Sequence, residues 1–205
     1  MTKIAIIGTG LCGLSVAHFL KDHAEITLFE KALGVSGRMS TRRAGIYFFD
    51  HGAQYFTART KVFHDFIQPL ISEGIIERWN ARYVKFDGDQ IIERKKWIDD
   101  ESRYVGVPSM DKIGKHMAEG LNVHFNTRVI SVKRDDTWQL TDKSGQLYNN
   151  FDWIISTVPS TQATEFLPKT FKYYDHIKDI KCLPVFRLCW VLLKNFHSNL
   201  RLHMS

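Results

Sequence analysis

The stretch from Lys3 to Glu30 limits the possible folds more than any other part of the chain. Lys3 to Ile7 is a short β-branched apolar run, which reads as a buried strand. GTGLCG follows, Gly8 to Gly13, and LSVAHFL then sets Leu14, Ala17 and Leu20 at helical spacing. Ala24 to Glu30 reads as a second strand. A strand, a helix and a strand within about thirty residues is the minimum for a parallel crossover, so a parallel α/β layer is expected here.

Gly8, Gly10 and Gly13 form GxGxxG between that strand and that helix. Gly8 makes the tight turn, Gly10 lets the backbone approach a pyrophosphate, and Gly13 lets helix and strand pack closely. The helix N-terminus adds free N–H groups and partial positive charge, so Leu11 and Cys12 join the three glycines as candidate binding residues. Glu30 ends the second strand, where a carboxylate takes ribose hydroxyls; Lys31 follows it. Such an acid repels the 2′-phosphate of NADP, which leaves FAD or NAD. GVSGRMSTRR, Gly34 to Arg43, then brings glycines and arginines directly after the acid. Glycines allow close approach and arginines hold anions, and a bare NAD site gives no reason for such a turn.

Bulk properties exclude several alternatives. With 205 residues, 44% of them hydrophobic and 24% charged, the chain is long enough to bury a real core. The net charge of +6 suits an anionic partner, yet the basic residues are scattered and carry no nucleic-acid motif. No apolar stretch approaches the ~20 residues of a membrane span, and LPVFRLCWVLL is interrupted by Arg187. Cys12, Cys182 and Cys189 form no CxxC, no HExxH is present, and no metal site is expected. This cysteine usage points to the reducing cytoplasm. The oligomeric state is left open.

Further along, helical spacing predicts a helix over Thr57–Glu73, and Ile76 to Arg103 reads as short antiparallel strands with DGDQ as a hairpin turn. Ser109 is expected to cap a helix through about Glu119, ended by Gly120. NVHFNTRVISVKR, DTWQLTD and DWIISTVPS form a three-strand pattern. Trp79, Trp97 and Trp138 are candidates to wall a flat-ring substrate, although core or sheet packing is the preferred reading for at least two of them. His51 beside Asp50 reads as a hydrogen-bonded structural histidine in preference to an acid/base group. Arg42 and Arg43 read equally as an extension of the anion site or as a solvated loop.

The set KIAIIGTGLCG, FEK, SGRMSTRR and FDHGAQYF resembles the flavin-dependent amine-oxidase superfamily, most closely its renalase-like branch. The resemblance runs over about residues 1–195. It implies a Rossmann-like FAD-binding fold of the glutathione-reductase type, with an interleaved, incomplete α+β substrate domain. The expected boundaries are 1–50 with 105–160 for the FAD-binding part and 51–104 with 161–205 for the substrate part. It further implies that Gly37, Arg38 and Met39 lie on the FAD pyrophosphate, that Gln54 and Tyr55 run beside the flavin, and that Val129 meets the adenine by its backbone. FAD would be held non-covalently. Hydride would pass to it from a reduced nicotinamide-like or amine substrate, with oxygen as final acceptor. The rival readings are an NAD-binding reductase without flavin and a non-catalytic dinucleotide-binding remnant. Catalytic residues on the substrate side are not identified.

The chain departs from the family pattern in two places. Ser36 stands where the family has the first glycine of a GGR turn. All thirteen glycines lie at or before Gly145, so the C-terminal Gly-Asp turn that closes the family's FAD site has no counterpart. The expectation is a shortened chain, with exposed sheet edges and weak flavin binding. Whether it turns over is left open.

Overall fold

The computed structural model describes residues 1–96 and 102–182. The chain opens with β1 (Thr2–Ile7), α1 (Leu11–Leu20) and β2 (Ala24–Phe29), then a 3-10 turn over Gly37–Met39, β3 (Arg42–Ala44) and β4 (Tyr47–Phe49). There follow β5 (Phe56–Thr57), α2 (Lys61–Ser72), β6 (Ile76–Arg78), β7 (Arg82–Asp87), β8 (Gln90–Lys96), β9 (Arg103–Gly106) and α3 (Asp111–Met117). Next come β10 (Asn122–His124), β11 (Val129–Arg134), β12 (Trp138–Asp142), β13 (Leu147–Phe151) and β14 (Trp153–Ser156), with α4 (Ser160–Ala163) and α5 (Tyr174–Lys178) last. Trp97, Cys189 and the run LPVFRLCWVLL lie outside the described residues.

A parallel sheet in the order β10-β2-β1-β14 forms the centre. Side chains alternate across a strand, and β1 shows why its run is apolar throughout. Ile4 and Ile6 join Leu14 and Ala17 of α1 and Ile113 and Met117 of α3 in one core. Ala5 and Ile7 face the other way, packing with Val132, Leu140 and Phe151 of an antiparallel sheet ordered β11-β12-β13. Helices, parallel sheet and antiparallel sheet thus make three layers. The α/β dinucleotide-binding fold read from the opening residues is the fold observed.

Four local expectations are corrected. The helix predicted from Thr57 starts at Lys61, because Thr60 is extended and its hydroxyl caps the Phe63 N–H; Phe56 and Thr57 instead pair with Tyr104 and Arg103. NVHFNTRVISVKR is two strands, not one. Asn126 takes a left-handed φ of 52°, and the chain leaves the parallel sheet for the antiparallel one. The third strand of the antiparallel sheet is Leu147–Phe151, while Trp153–Ser156 lies parallel beside β1. Asp152 makes that switch by donating its backbone N–H to the Lys3 carbonyl and accepting the Lys3 N–H on its carboxylate. Ser109 does not cap α3 with its side chain. The N-cap is Met110, the Ser109 hydroxyl donates to the Asp111 carboxylate, and the helix ends at Met117.

The remaining strands form small sheets: β5-β9-β6, the hairpin β3-β4, and the hairpin β7-β8 turned at Gly88-Asp89 as DGDQ suggests.

Candidate functional site

The site forms where β1 and β2 end. Gly8 N–H donates to the Phe29 carbonyl, which ties the glycine loop across the tip of β2. Gly13 sits where no side chain fits, since a Cβ there would overlap the Gly8 carbonyl oxygen and lie 2.8 Å from Thr157 Oγ1. At Gly10 the reverse holds: a Cβ would meet nothing within 4 Å. Gly10 is also the N-cap of α1, and no side chain caps that end. The result is an open cradle at the N-terminus of a helix, whose first N–H groups have no partner within the helix and which carries a partial positive charge. Leu11 packs against the core, and Cys12 is exposed beside it.

Glu30 follows directly on β2 and is 8% exposed. Its Oε2 accepts from the Thr9 N–H at 3.0 Å and the Thr9 hydroxyl at 2.6 Å, and its Oε1 accepts from the Ala32 N–H at 2.9 Å. Those three donors offset the cost of burying the carboxylate and hold it against the glycine loop. Oε1, which accepts only once, keeps acceptor capacity. Thr9, fully buried, is a residue the sequence reading passed over. It occupies a variable position of the fingerprint, and only the fold brings it opposite the acid. Thr157 is a second such residue: its hydroxyl lies 3.0 Å from the Ile7 carbonyl and 3.1 Å from that of Gly8.

The segment carrying Val129 passes over the same end, with Asn126 and Thr127 donating backbone N–H groups to the Ala32 and Glu30 carbonyls. Val129 itself is a buried core residue at the start of β11. Lys31 points away toward α4, donating to Gln162.

Ser36 and Gly37 lie against the glycine loop, and Arg38 follows them on the same turn. The Ser36 N–H donates to the Thr9 carbonyl, Ser36 and Gly10 form a parallel bridge, and a Cβ on Gly37 would lie 3.1 Å from the Gly10 Cα. Arg38 is exposed, and among the described residues its guanidinium has no hydrogen-bond or ion-pair partner. A guanidinium carried on a turn bridged to an open glycine cradle is what an anionic ligand needs. Met39 buries its side chain in the core, so only its backbone faces outward.

The 50–55 segment braces this turn. Ala53 N–H donates to the Arg38 carbonyl at 2.8 Å. Asp50 accepts from the Thr41 hydroxyl and the Met110 N–H, while exposed His51 shares a hydrogen bond with Ser40. His51 and Asp50 therefore do not form an acid/base pair. Gln54 and Tyr55 are exposed, the Tyr55 ring 5.9 Å from that of Trp79 and beneath the Arg103 guanidinium. Trp138 belongs to the second core, as expected for a packing tryptophan. Among the described residues no cluster of His, Cys, Asp or Glu could hold a metal, and no helix is long and apolar enough to cross a membrane.

Comparison with known proteins bears on this geometry. A model of flavin containing amine oxidoreductases matches residues 80–194, more than half of the chain. The chain belongs to that family. A model of an NAD(P)-binding Rossmann-like domain matches residues 6–70, which hold the glycine loop, Glu30 and Arg38. Curated relatives of this amine oxidoreductase chain include prenylcysteine oxidase 1-like proteins. That of Mus musculus is 32% identical over 102 residues, 46% of this chain and 20% of that protein. That of Homo sapiens is 35% identical over 102 residues, with the same shares of 46% and 20%. The match thus spans about a fifth of the relatives' length. Among solved structures, one described as a protoporphyrinogen oxidase of Exiguobacterium sp. 255-15 has a TM-score of 0.67 at 11% identity, covering 87% of this chain and 63% of that one. The tetracycline destructase Tet(51) has a TM-score of 0.58 at 21% identity, covering 82% and 42%. At these identities the likeness is one of fold.

Proposed function

We propose that this chain holds FAD and serves an FAD-dependent oxidoreductase of the renalase-like type, acting on a reduced small molecule. One observation carries the reading: the free Arg38 guanidinium stands on a turn bridged to the open Gly10 cradle, with the buried Glu30 carboxylate behind it. The residues fit an adenine dinucleotide. The N–H groups at Gly10 to Gly13 and the α1 N-terminus would take the pyrophosphate, Arg38 would neutralise it, and Glu30 would accept from the ribose hydroxyls. The strand start at Val129 would meet the adenine, and Gln54 and Tyr55 would lie toward the flavin.

FAD supplies the redox chemistry when bound: acceptance of hydride from a dihydro-NAD(P) isomer or an amine, with oxygen as final acceptor. The work left to this chain is binding, orientation and exclusion of water, which accounts for a site rich in backbone donors and poor in acid/base pairs. The two-part domain division, residues 1–50 with 105–160 and 51–104 with 161–205, belongs to the same reading, as does a cytoplasmic setting.

Titration of the purified chain with FAD, NAD and NADP tests this reading. FAD should bind tightest, and Arg38→Ala should weaken it about ten- to a hundredfold, the worth of one charge-assisted hydrogen bond. Tighter binding of NADP than of FAD sinks the proposal. Binding of NAD with no affinity for FAD favours the flavin-free reductase instead.

A further inference from the structure

Ser36 is under local strain that the rest of the fold holds in place. Its φ is 90° and its ψ −18°, a left-handed backbone that side chains rarely adopt. It is nevertheless 1% exposed, fully enclosed between two elements distant in sequence. On one side lies the glycine loop, through the Thr9 carbonyl and the bridge to Gly10. On the other lies the first turn of α3. The Ser36 hydroxyl donates to the Asp111 carbonyl at 2.9 Å. Gly114, one turn on, provides the room: a Cβ there would overlap Ser36 Oγ and lie 2.9 Å from both Cα and Cβ of Ser36.

The same helix start grips the far end of the turn. Asp111 N–H donates to Thr41 Oγ1, whose hydroxyl donates to Asp50, and Asp50 also accepts the Met110 N–H. The turn from Ser36 to Thr41 is therefore pinned to α3 at both ends, with Arg38 between the pins.

We propose that Ser36 is a positioning residue: held in the notch at Gly114, it fixes the turn so that Arg38 faces the glycine cradle before any ligand arrives. A glycine in its place would keep the backbone shape but lose the hydroxyl clamp and free the turn. The strain at Ser36 is thus offset by a hydrogen bond and a fitted notch, and its return is preorganisation. This inference rests on the dinucleotide reading above.

A double-mutant cycle on the full chain tests it, read by titration with FAD, ADP and adenosine and by thermal unfolding without ligand. Ser36→Gly and Ser36→Ala should each weaken FAD and ADP about two- to tenfold, the worth of one hydrogen bond. Adenosine, which has no phosphate for Arg38, should bind as it does to the parent. Gly114→Ala should weaken FAD and ADP by more than about tenfold through overlap with Ser36. Adding Ser36→Gly to Gly114→Ala should recover part of that loss, since it removes Oγ and Cβ and leaves only the Ser36 Cα against the new methyl.

The proposal is overturned if Ser36→Gly and Ser36→Ala bind ADP like the parent, or if adenosine and ADP weaken equally. It is also overturned if the two substitutions are additive in the cycle. Should Gly114→Ala not fold, the two Ser36 variants still decide. Failure of the parent itself to bind FAD or ADP overturns the function proposed above, and is told apart by needing no variant.

Discussion

The central layers and the β7-β8 hairpin both carry large apolar side chains and are packed very differently. In β1 and β2 nine of twelve positions are buried, because one face meets α1 and α3 and the other meets the antiparallel sheet. In β7 and β8 almost none is, and Val84, Phe86, Ile91 and Ile92 are exposed. Both regions have a backbone ladder, that of the hairpin shifting register between Lys85 and Phe86. What differs is cover: a ladder alone stabilises a two-stranded hairpin only marginally, whereas a layer buried on both faces gains from every apolar side chain. The cofactor-binding candidates sit at the edge of the covered layers, where rigid packing holds geometry.

Substitutions can break or sharpen this contrast. The largest effect is expected at the joint of strand and helix: Gly13→Val places atoms onto the Gly8 backbone, which cannot give way as a side-chain end can. It should cost about 5 kcal/mol or more, leaving no folded chain in a denaturant titration. Within the covered sheet, Leu28→Ala empties a fully buried position and should cost about 2–5 kcal/mol by the same measurement. A cost below about 1 kcal/mol would mean the layers are not as tightly packed as described.

Asp111 sharpens the comparison through pH. Burial pushes its carboxyl up, but hydrogen bonds from Lys115 and Ser109, with the Lys115 charge, hold it below the ordinary aspartate value of 3.8. A folded value below the unfolded one means the contribution is fully present above the unfolded value and is lost as pH falls through the lowered one. Unfolding followed by fluorescence from neutral pH downward should show that loss in the parent, and Asp111→Asn should flatten it. An unchanged acid profile would show that Asp111 does not anchor α3.

The smallest effect is expected on the hairpin. Phe86, 52% exposed, should change stability by no more than about 0.5 kcal/mol on replacement by alanine. A loss several times larger would mean that something covers this face in solution.

Much of the site was legible because its signals are local. GxGxxG, the acid at the end of the second strand and the Gly-Arg turn are each set by residues a few positions apart, and periodicity alone reveals the strand–turn–helix around them. The corrections share the opposite character. Asn122–Arg134 reads as one strand because its residues suit extended backbone throughout, yet its two halves belong to different sheets. Trp153–Ser156 reads as a hairpin strand because it follows one, yet its partner is β1, at the other end of the chain. Local propensity specifies extended backbone but not which neighbour completes the ladder.

By itself the sequence determined the β-α-β opening, the open glycine cradle, the acid Glu30 and the arginine on the turn after it. Those follow from residue type, since only glycine permits close approach and only a long cationic side chain reaches a phosphate from a turn. Tertiary structure alone decided that Thr9 donates twice to Glu30, that Thr157 closes over Gly8, and that Ser36 fits into Gly114. Each of these contacts joins residues from 21 to more than a hundred positions apart. They depend on how helices and sheets stack on the parallel layer, which no local pattern encodes.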